Sequence, residues 1–367
     1  GAEVRLLDGR LTADVTYYDK YTRDQIVESE LSYLSNYQRV IINSGKISNK
    51  GWEISVSGVP VKVKNFEWKT IFNWSKNNSM VESLPEGIDK IQIGSGVYNV
   101  KSYAEVGKPY GAIYAKTFKR DAEGYILCQL DGSPKEGQDY EYLGCVQADW
   151  RGGWNNVFRL GNFSFSVMFD FQKGGKFFSQ TSIQSSVDGQ SVKSLEGRDA
   201  DFFSRKILGE SDEERYGFMR PQNANTPTAN GQVYPDWGRP KGVVLPNCRY
   251  DEDVEGLAGQ QVLGYCTPER YWMHYTSRDI SRFIYDASYV KLREITVSYD
   301  LPKKWLRKTP FQTFRVAAVG RNIATLFANT PHGLDPQATS TTGNAQGFER
   351  GFNLPSATYG FDIKVSF

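Results

Sequence analysis

The chain has 367 residues, 44 Lys and Arg against 42 Asp and Glu, and a formal charge of +2, so it carries no basic footprint for nucleic acid. Its mean hydropathy is negative and no run approaches the ~18 consecutive apolar residues of a membrane-spanning helix. Aromatic residues make up 14%, too many for a disordered chain and enough to line either a large core or a lipid boundary.

The first regular feature is alternation. Leu11, Ala13, Val15, Tyr17 and Tyr21 are apolar or aromatic, while Thr12, Asp14 and Thr16 between them are polar. Successive side chains of a strand point to opposite faces, so this pattern predicts a strand with one apolar and one polar face. Asp8-Gly9 separates it from the short run Val4–Leu7 and predicts a hairpin turn. The same period returns in Trp52, Ile54 and Val56, and again in Phe66, Trp68, Phe72 and Trp74 against Glu67, Lys69 and Asn73.

From about Asn77 to Trp150 the period is lost, over a stretch much longer than the ~12–15 residues of an ordinary structureless loop. Gly94-Ser95-Gly96 lies in it without a helix to open, so it is not a phosphate cradle. Two further strands follow as a hairpin, Trp154–Arg159 and Phe163–Phe171, around Leu160-Gly161-Asn162. In the second, Phe163, Phe165, Val167, Phe169 and Phe171 face Ser164, Ser166, Asp170 and Gln172, with Met168 the one exception.

A second long connection runs from about Phe178 to Tyr285, polar but rich in aromatics, and is expected to be folded. Its Tyr234, Trp237, Tyr271 and Trp272 are candidates for stacking on sugar rings or peptide side chains; packing inside the loop is the other reading. Asp251, Glu252, Asp253 and Glu255 lack the spacing of a calcium loop and read as solvated. The last strand is Tyr359 to Phe367, apolar at every odd position and closed by Phe367.

Short turns at one end of the strands and long loops at the other are the asymmetry of a transmembrane barrel, with aromatics such as Tyr17, Trp52, Trp74, Tyr299 and Tyr359 at strand ends as a girdle. A soluble sandwich filled by the aromatics is the competing architecture. The sequence starts Gly1-Ala2-Glu3 in mid-pattern and is read as a C-terminal portion of something longer. Cys128, Cys145, Cys248 and Cys266 all fall in the long loops; of the three possible pairings the nearest-neighbour one would join 128 to 145 and 248 to 266, and unpaired loop thiols are the other reading. No Cys-x-x-Cys occurs, and His274 and His332 stand in unrelated contexts, so neither a metal centre, nor a cofactor, nor catalysis is expected.

Several stretches carry a resemblance. Asp286-Ala287-Ser288-Tyr289-Val290-Lys291-Leu292-Arg293-Glu294-Ile295-Thr296, running on to Leu301-Pro302, resembles the "DASYVRLRNITLGYTLP" stretch of the SusC/RagA family of TonB-dependent outer-membrane transporters of Bacteroidota. Arg315 to Leu326 is similar to that family's "vyvsgqNLft" strand, Gly333-Leu334-Asp335-Pro336 to its "G-x-D-P-E" element with Gln337 in place of the glutamate, and Leu354 to Phe367 to its closing strand, in which Ser356-Ala357 replace a commonly basic pair. Upstream, Asn43 to Glu53 resembles "NxGxxxNKGxE", and Val106 to Gly111 resembles "vGkpyG".

The resemblance implies an all-β fold, about ten antiparallel strands from the C-terminal part of a roughly 22-stranded transmembrane barrel with long extracellular loops. The plug domain, TonB box and first strands would lie before Gly1. It further implies residence in the outer membrane, import of oligosaccharides or peptides powered through TonB, a SusD-like surface lipoprotein as lid, and Phe367 as the signal read by barrel assembly; it is compatible with a dimer of transporter–lipoprotein pairs. A passive porin and a barrel-anchored adhesin share the same strand pattern.

Overall fold

A computed structural model describes residues 1–30, 39–129, 133–195, 248–256, 258–260, 271–331, 333–338, 346–351 and 356–367. Its strands in chain order are β1 (Ala2–Leu6), β2 (Leu11–Glu30), β3 (Arg39–Val63), β4 (Phe66–Ser83), β5 (Lys90–Ser95), β6 (Lys101–Glu105), β7 (Ala112–Ala115), β8 (Ile126–Cys128), β9 (Glu141–Cys145), β10 (Trp150–Leu160), β11 (Phe163–Lys173), β12 (Lys176–Ser179), β13 (Cys248–Tyr250), β14 (Ile284–Asp286), β15 (Tyr289–Asp300), β16 (Thr313–Ala328), β17 (Phe348–Glu349) and β18 (Thr358–Ser366). Two short helices, α1 (Gln180–Val187) and α2 (Lys303–Leu306), accompany them. No described helix is long and apolar enough to cross a membrane, which says nothing of strands.

Nine strands form one antiparallel sheet in the order β1-β2-β3-β4-β10-β11-β15-β16-β18, a meander in which each chain neighbour within the sheet is also the spatial neighbour. The predicted hairpins are all present. Leu6 pairs with Leu11 across the Asp8-Gly9 turn, and Leu160 with Phe163 across Gly161-Asn162. β2 and β3 run well past the alternating segments, with ladder pairs from Leu11–Gly58 to Glu30–Arg39, so they rise as a long ribbon beyond the rest of the sheet. β4 likewise continues to Ser83, beyond Asn77 where the period fades.

The register assembles one apolar face. Val15 lies beside Ile54, Ile54 beside Trp74, Phe72 beside Trp154, Trp154 beside Phe169, Phe165 beside Val297, Val316 beside Ile363 and Ala318 beside Phe361. Rings meet across strands, Trp68 to Phe158 at 5.9 Å, Phe158 to Phe165 at 6.2 Å and Phe163 to Tyr299 at 4.6 Å between centroids. Nothing among the described residues covers this face: Phe163 is 58% exposed and Phe361 85%. A soluble sandwich would lay a second sheet over it, and none is present among the described residues. A water-facing apolar surface spanning nine strands would be an aggregation surface, so hydrocarbon is its natural solvent.

Two polar residues sit on the apolar side and are satisfied in place. The Trp68 indole Nε1 donates to Asn156 Oδ1 at 3.1 Å, and Trp154 Nε1 to Thr70 Oγ1 at 2.9 Å. In hydrocarbon no water can replace these donors. Trp68→Phe is therefore expected to destabilise by about 1–3 kcal/mol by orphaning the Asn156 carbonyl, and Trp68→Phe with Asn156→Leu to recover most of it. Urea unfolding in detergent micelles reads both.

The buried core lies outside this sheet, in the loops. The first long connection folds into the sheet β5-β6-β7-β9, the second contributes β12, β13 and β14, and β12 is flanked by β14 and β17. Val100, Ile113 and Ala115 pack with Phe178, Ile183, Ile280, Phe283 and Phe348, so three connections share one core. A second cluster joins Phe118, Ile126 and Cys128 to Cys248, Tyr250, Val254, Trp272 and Tyr275. The Gly174-Gly175 step, φ +73 and +82, turns the chain out of β11 into this body, a conformation that side chains strongly disfavour.

Candidate functional site

The polar face of the sheet lies opposite the apolar one, and its residues near the loop rim converge. β11 presents Asp170 and Gln172, β10 presents Arg151, and β15 presents Tyr289 and Lys291 at register positions facing Gln172 and Asp170. Arg293 joins them through an irregularity. Phe169 pairs with Leu292 but Met168 with Glu294, leaving Arg293 as an extra residue in β15. A bulge re-aims its side chain, and Arg293 turns to the polar side. Its guanidinium donates to Asp170 through Nε, at 3.1 Å, and through Nη2; Nη1 reaches Asn322 Oδ1 at 3.3 Å.

The segment after β16 is pinned to this wall. Lys291, 0% exposed, donates to both oxygens of Asp335 at 2.5 and 2.6 Å and to Gln337 Oε1 at 2.9 Å. Gln337 also accepts from Arg293 Nη2 at 2.7 Å and donates to the Tyr289 hydroxyl at 2.6 Å. The glutamine that replaces the expected glutamate thus both accepts and donates here, which a carboxylate could not do. Under the loops, Arg151, Asp170, Gln172, Lys176, Tyr289 and Gln337 line a cleft of about 430 Å³, with Phe177 and Pro336 as apolar walls. It opens along Arg151 and Asp170 into a recess of about 470 Å³ reaching Asp14, Glu53 and Asn73. Both signs of charge with amide and hydroxyl groups suit a polar solute rich in hydrogen-bonding groups, and the rigid strands hold them in place.

The residues singled out from sequence fare differently. Tyr234 and Trp237 lie outside the described residues. Tyr271 opens a single π-turn, Tyr271–Tyr275. Trp272 in the same turn is 4% exposed and packs with Tyr250, Val254 and Tyr275, so it holds the loop body together and offers no stacking platform. Phe367 lies beside Phe311, centroids 5.3 Å apart, and is itself exposed. The expected pairing of Cys128 with Cys145 is not made. Cys128 is in β8, while Cys145 ends β9 in another sheet with its Sγ 3.4 Å from the Tyr110 carbonyl; neighbours in sequence have been sorted into different sheets. Cys266, the expected partner of Cys248, lies outside the described residues.

The acidic run in the second loop is engaged by lysines. Asp251 accepts from Lys119 and Lys135, each at 2.8 Å, and Asp253 from Lys135 at 2.5 Å. Burial alone would push the Asp251 carboxyl up; the two ammonium groups and the Glu252 backbone N–H outweigh it and bring it down to about 2. A carboxylate depressed in the fold contributes stability above about pH 4 and loses it as the pH falls through about 2. Protection against hydrogen exchange, taken relative to the intrinsic rate at each pH, is expected to hold in the segments around Lys119, Lys135 and Asp251 from neutral pH to about pH 4 and to fall between about pH 4 and pH 2, ahead of the membrane sheet.

Sequence reading missed the Asp170–Arg293–Lys291–Gln337 cluster. Its signal was there: Lys291 and Arg293 are charges inside an apolar strand, and the apolar parity changes from even at Val290 and Leu292 to odd at Ile295, Val297 and Tyr299, which marks the bulge.

No protein-family model matches the chain. TonB-dependent receptor P3 of Formosa agariphila is 24% identical over 381 aligned residues, which take in 98% of this chain and 32% of that receptor. TonB-dependent receptor SusC of Bacteroides thetaiotaomicron is 27% identical over 90 residues, 24% of this chain and 9% of SusC. The solved RagAB peptide transporter superposes on all of this chain with a TM-score of 0.61 at 15% identity, over 34% of its own chain. The chain thus spans about a third of the length of P3 and of the matched RagAB chain. Its open sheet, apolar outside and polar within, is wall of an antiparallel transmembrane β-barrel, and in sequence the chain is similar to TonB-dependent receptors, SusC among them.

Proposed function

We infer that the complete protein, of which this chain forms part of the barrel wall together with its extracellular loops, imports oligosaccharides or peptides across the bacterial outer membrane. The transport is powered through TonB, acting on a plug supplied by the rest of the protein, and a SusD-like surface lipoprotein closes the mouth. The observation that carries this reading is the placement of the polar cleft. Arg151, Asp170, Lys176, Tyr289 and Gln337 stand on the lumen side of the wall, directly beneath loop bodies that have hydrophobic cores of their own. Loops that serve only as connectors need no core, whereas loops that hold a lid must be rigid. A large, permanent contact with that lid, above ~2,000 Å², is the expected size class.

The test is to purify the tagged complete transporter in detergent from its native envelope and to measure nutrient uptake with and without TonB. The reading expects co-purification of a SusD-like lipoprotein and loss of uptake when TonB is absent. Uptake that persists without TonB would make the protein a porin, and binding of cells or glycans without any uptake would make it an adhesin.

A further inference from the structure

Cys128 closes β8 in the first loop, and Cys248 opens β13 in the second. The two strands pair in parallel, Cys248 opposite Ile126 and Tyr250 opposite Cys128, which puts all four side chains on one face with the cysteines as diagonal neighbours. The Cys128 Sγ leans back along its strand and lies 4.0 Å from the carbonyl of Ile126, the residue opposite Cys248. The Cys128 side chain lies close enough to the Cys248 sulfur to lower that thiol from its ordinary range. Both are buried, at 0% and 3% exposure, within the same apolar cluster.

We propose that Cys128 and Cys248 are joined by a disulfide that staples the two long extracellular loops to each other. A regular diagonal pair stands roughly 7–8 Å apart between Cα atoms, against a usual disulfide span of up to about 6.8 Å, so closure draws the strands together by about an ångström. A ladder only three residues long can give that much. In bonding, the two thiols lose two protons and two electrons. The electrons reduce the disulfide of an envelope thiol oxidase to two thiols through a mixed-disulfide intermediate. Since neither sulfur is accessible once the cluster has closed, the exchange takes place while the loops are still open. The bridge would link residues 120 positions apart in sequence, and it constrains the only described sheet that joins the first long loop to the second. Cys145 is separate: it sits in another sheet, and burial pushes its thiol up, so it stays a thiol.

The inference rests on the outer-membrane reading only for its oxidant. The experiment therefore has two arms. The complete protein from the outer-membrane fraction is alkylated with N-ethylmaleimide under denaturing conditions without reduction, then digested and analysed by mass spectrometry. The expected result is a linked pair of peptides carrying Cys128 and Cys248, with Cys145 alkylated. Cys145→Ser should leave the link in place, and Cys128→Ser should remove it along with the mobility difference on a non-reducing gel. In the second arm, the protein is refolded in detergent with reduced and oxidised glutathione, which needs no cellular location, and the same link is expected. Alkylated Cys128 and Cys248 in either arm, or a link from either of them to Cys266, overturns the proposal. Recovery of the protein outside the outer-membrane fraction, with the link formed in glutathione, supports the bridge and counts against the outer-membrane reading alone.

Discussion

Replacing Val167 by arginine is expected to destabilise the barrel by about 2–4 kcal/mol, while Ser166→Arg, one residue away, is nearly silent. Val167 lies in the middle of β11, flanked on its face by Asn156 of β10 and Ile295 of β15, all on the side that meets hydrocarbon. An arginine there must drag its charge to the interface or thin the bilayer locally. Ser166 belongs to the opposite face, beside Val157 and Thr296, with its hydroxyl 3.2 Å from Asn155 Oδ1, and an arginine in its place extends into the aqueous lumen. Folding of the complete protein into lipid vesicles, titrated with urea, measures both. Equal effects at the two positions would mean that both faces see the same solvent, which no barrel wall allows.

Asp335→Ala is expected to cost about 3–5 kcal/mol, because it leaves the fully buried Lys291 ammonium without its anion. The loss should fall on the segment from Gly333 to Ala338, which Lys291 and Arg293 hold against the wall through Asp335 and Gln337. Limited proteolysis should cut the variant near this segment, and its urea midpoint should drop. Lys291→Met combined with Asp335→Leu is expected to recover most of the stability, since it removes both charges and keeps apolar volume. A single variant as stable as the parent, or a double variant as weak as the single, would show that the ion pair does not hold the loop.

What could be read from sequence follows from how local each cause is. The alternation of Phe163 to Phe171 and of Tyr359 to Phe367 is dictated by two solvents on two sides of one strand, and it is visible in any nine residues. Turns at Asp8-Gly9 and Gly161-Asn162 are equally local. The ends of β2 and β3 were illegible for a different reason: beyond Tyr21 and before Trp52 the strands are extended by backbone pairing, which leaves no period in the side chains. The loop strands were hidden too. Ala112–Ala115 is buried at all four positions, and Ile126–Cys128 pairs with a strand more than a hundred residues away, so neither alternation nor proximity announces them. The same non-local pairing defeated the cysteine assignment, because spacing along the chain carries no information about which loops share a sheet. For Trp272 both stacking on a ligand and packing inside the loop stayed open, because a loop aromatic looks alike in sequence whether it caps a core or faces a ligand.

The central claim is that one face of this sheet lies against lipid and the other against the water of a lumen. Single spin labels placed in turn at each residue from Phe163 to Lys173, in the complete protein with its native cysteines replaced and reconstituted into vesicles, test it most directly. The account predicts that accessibility to oxygen, which concentrates in the bilayer, peaks at odd positions from Phe163 to Phe171, and that accessibility to a water-soluble nickel chelate peaks at Ser164, Ser166, Met168, Asp170 and Gln172. Both probes reaching both sets alike, or oxygen accessibility without a two-residue period, would contradict it.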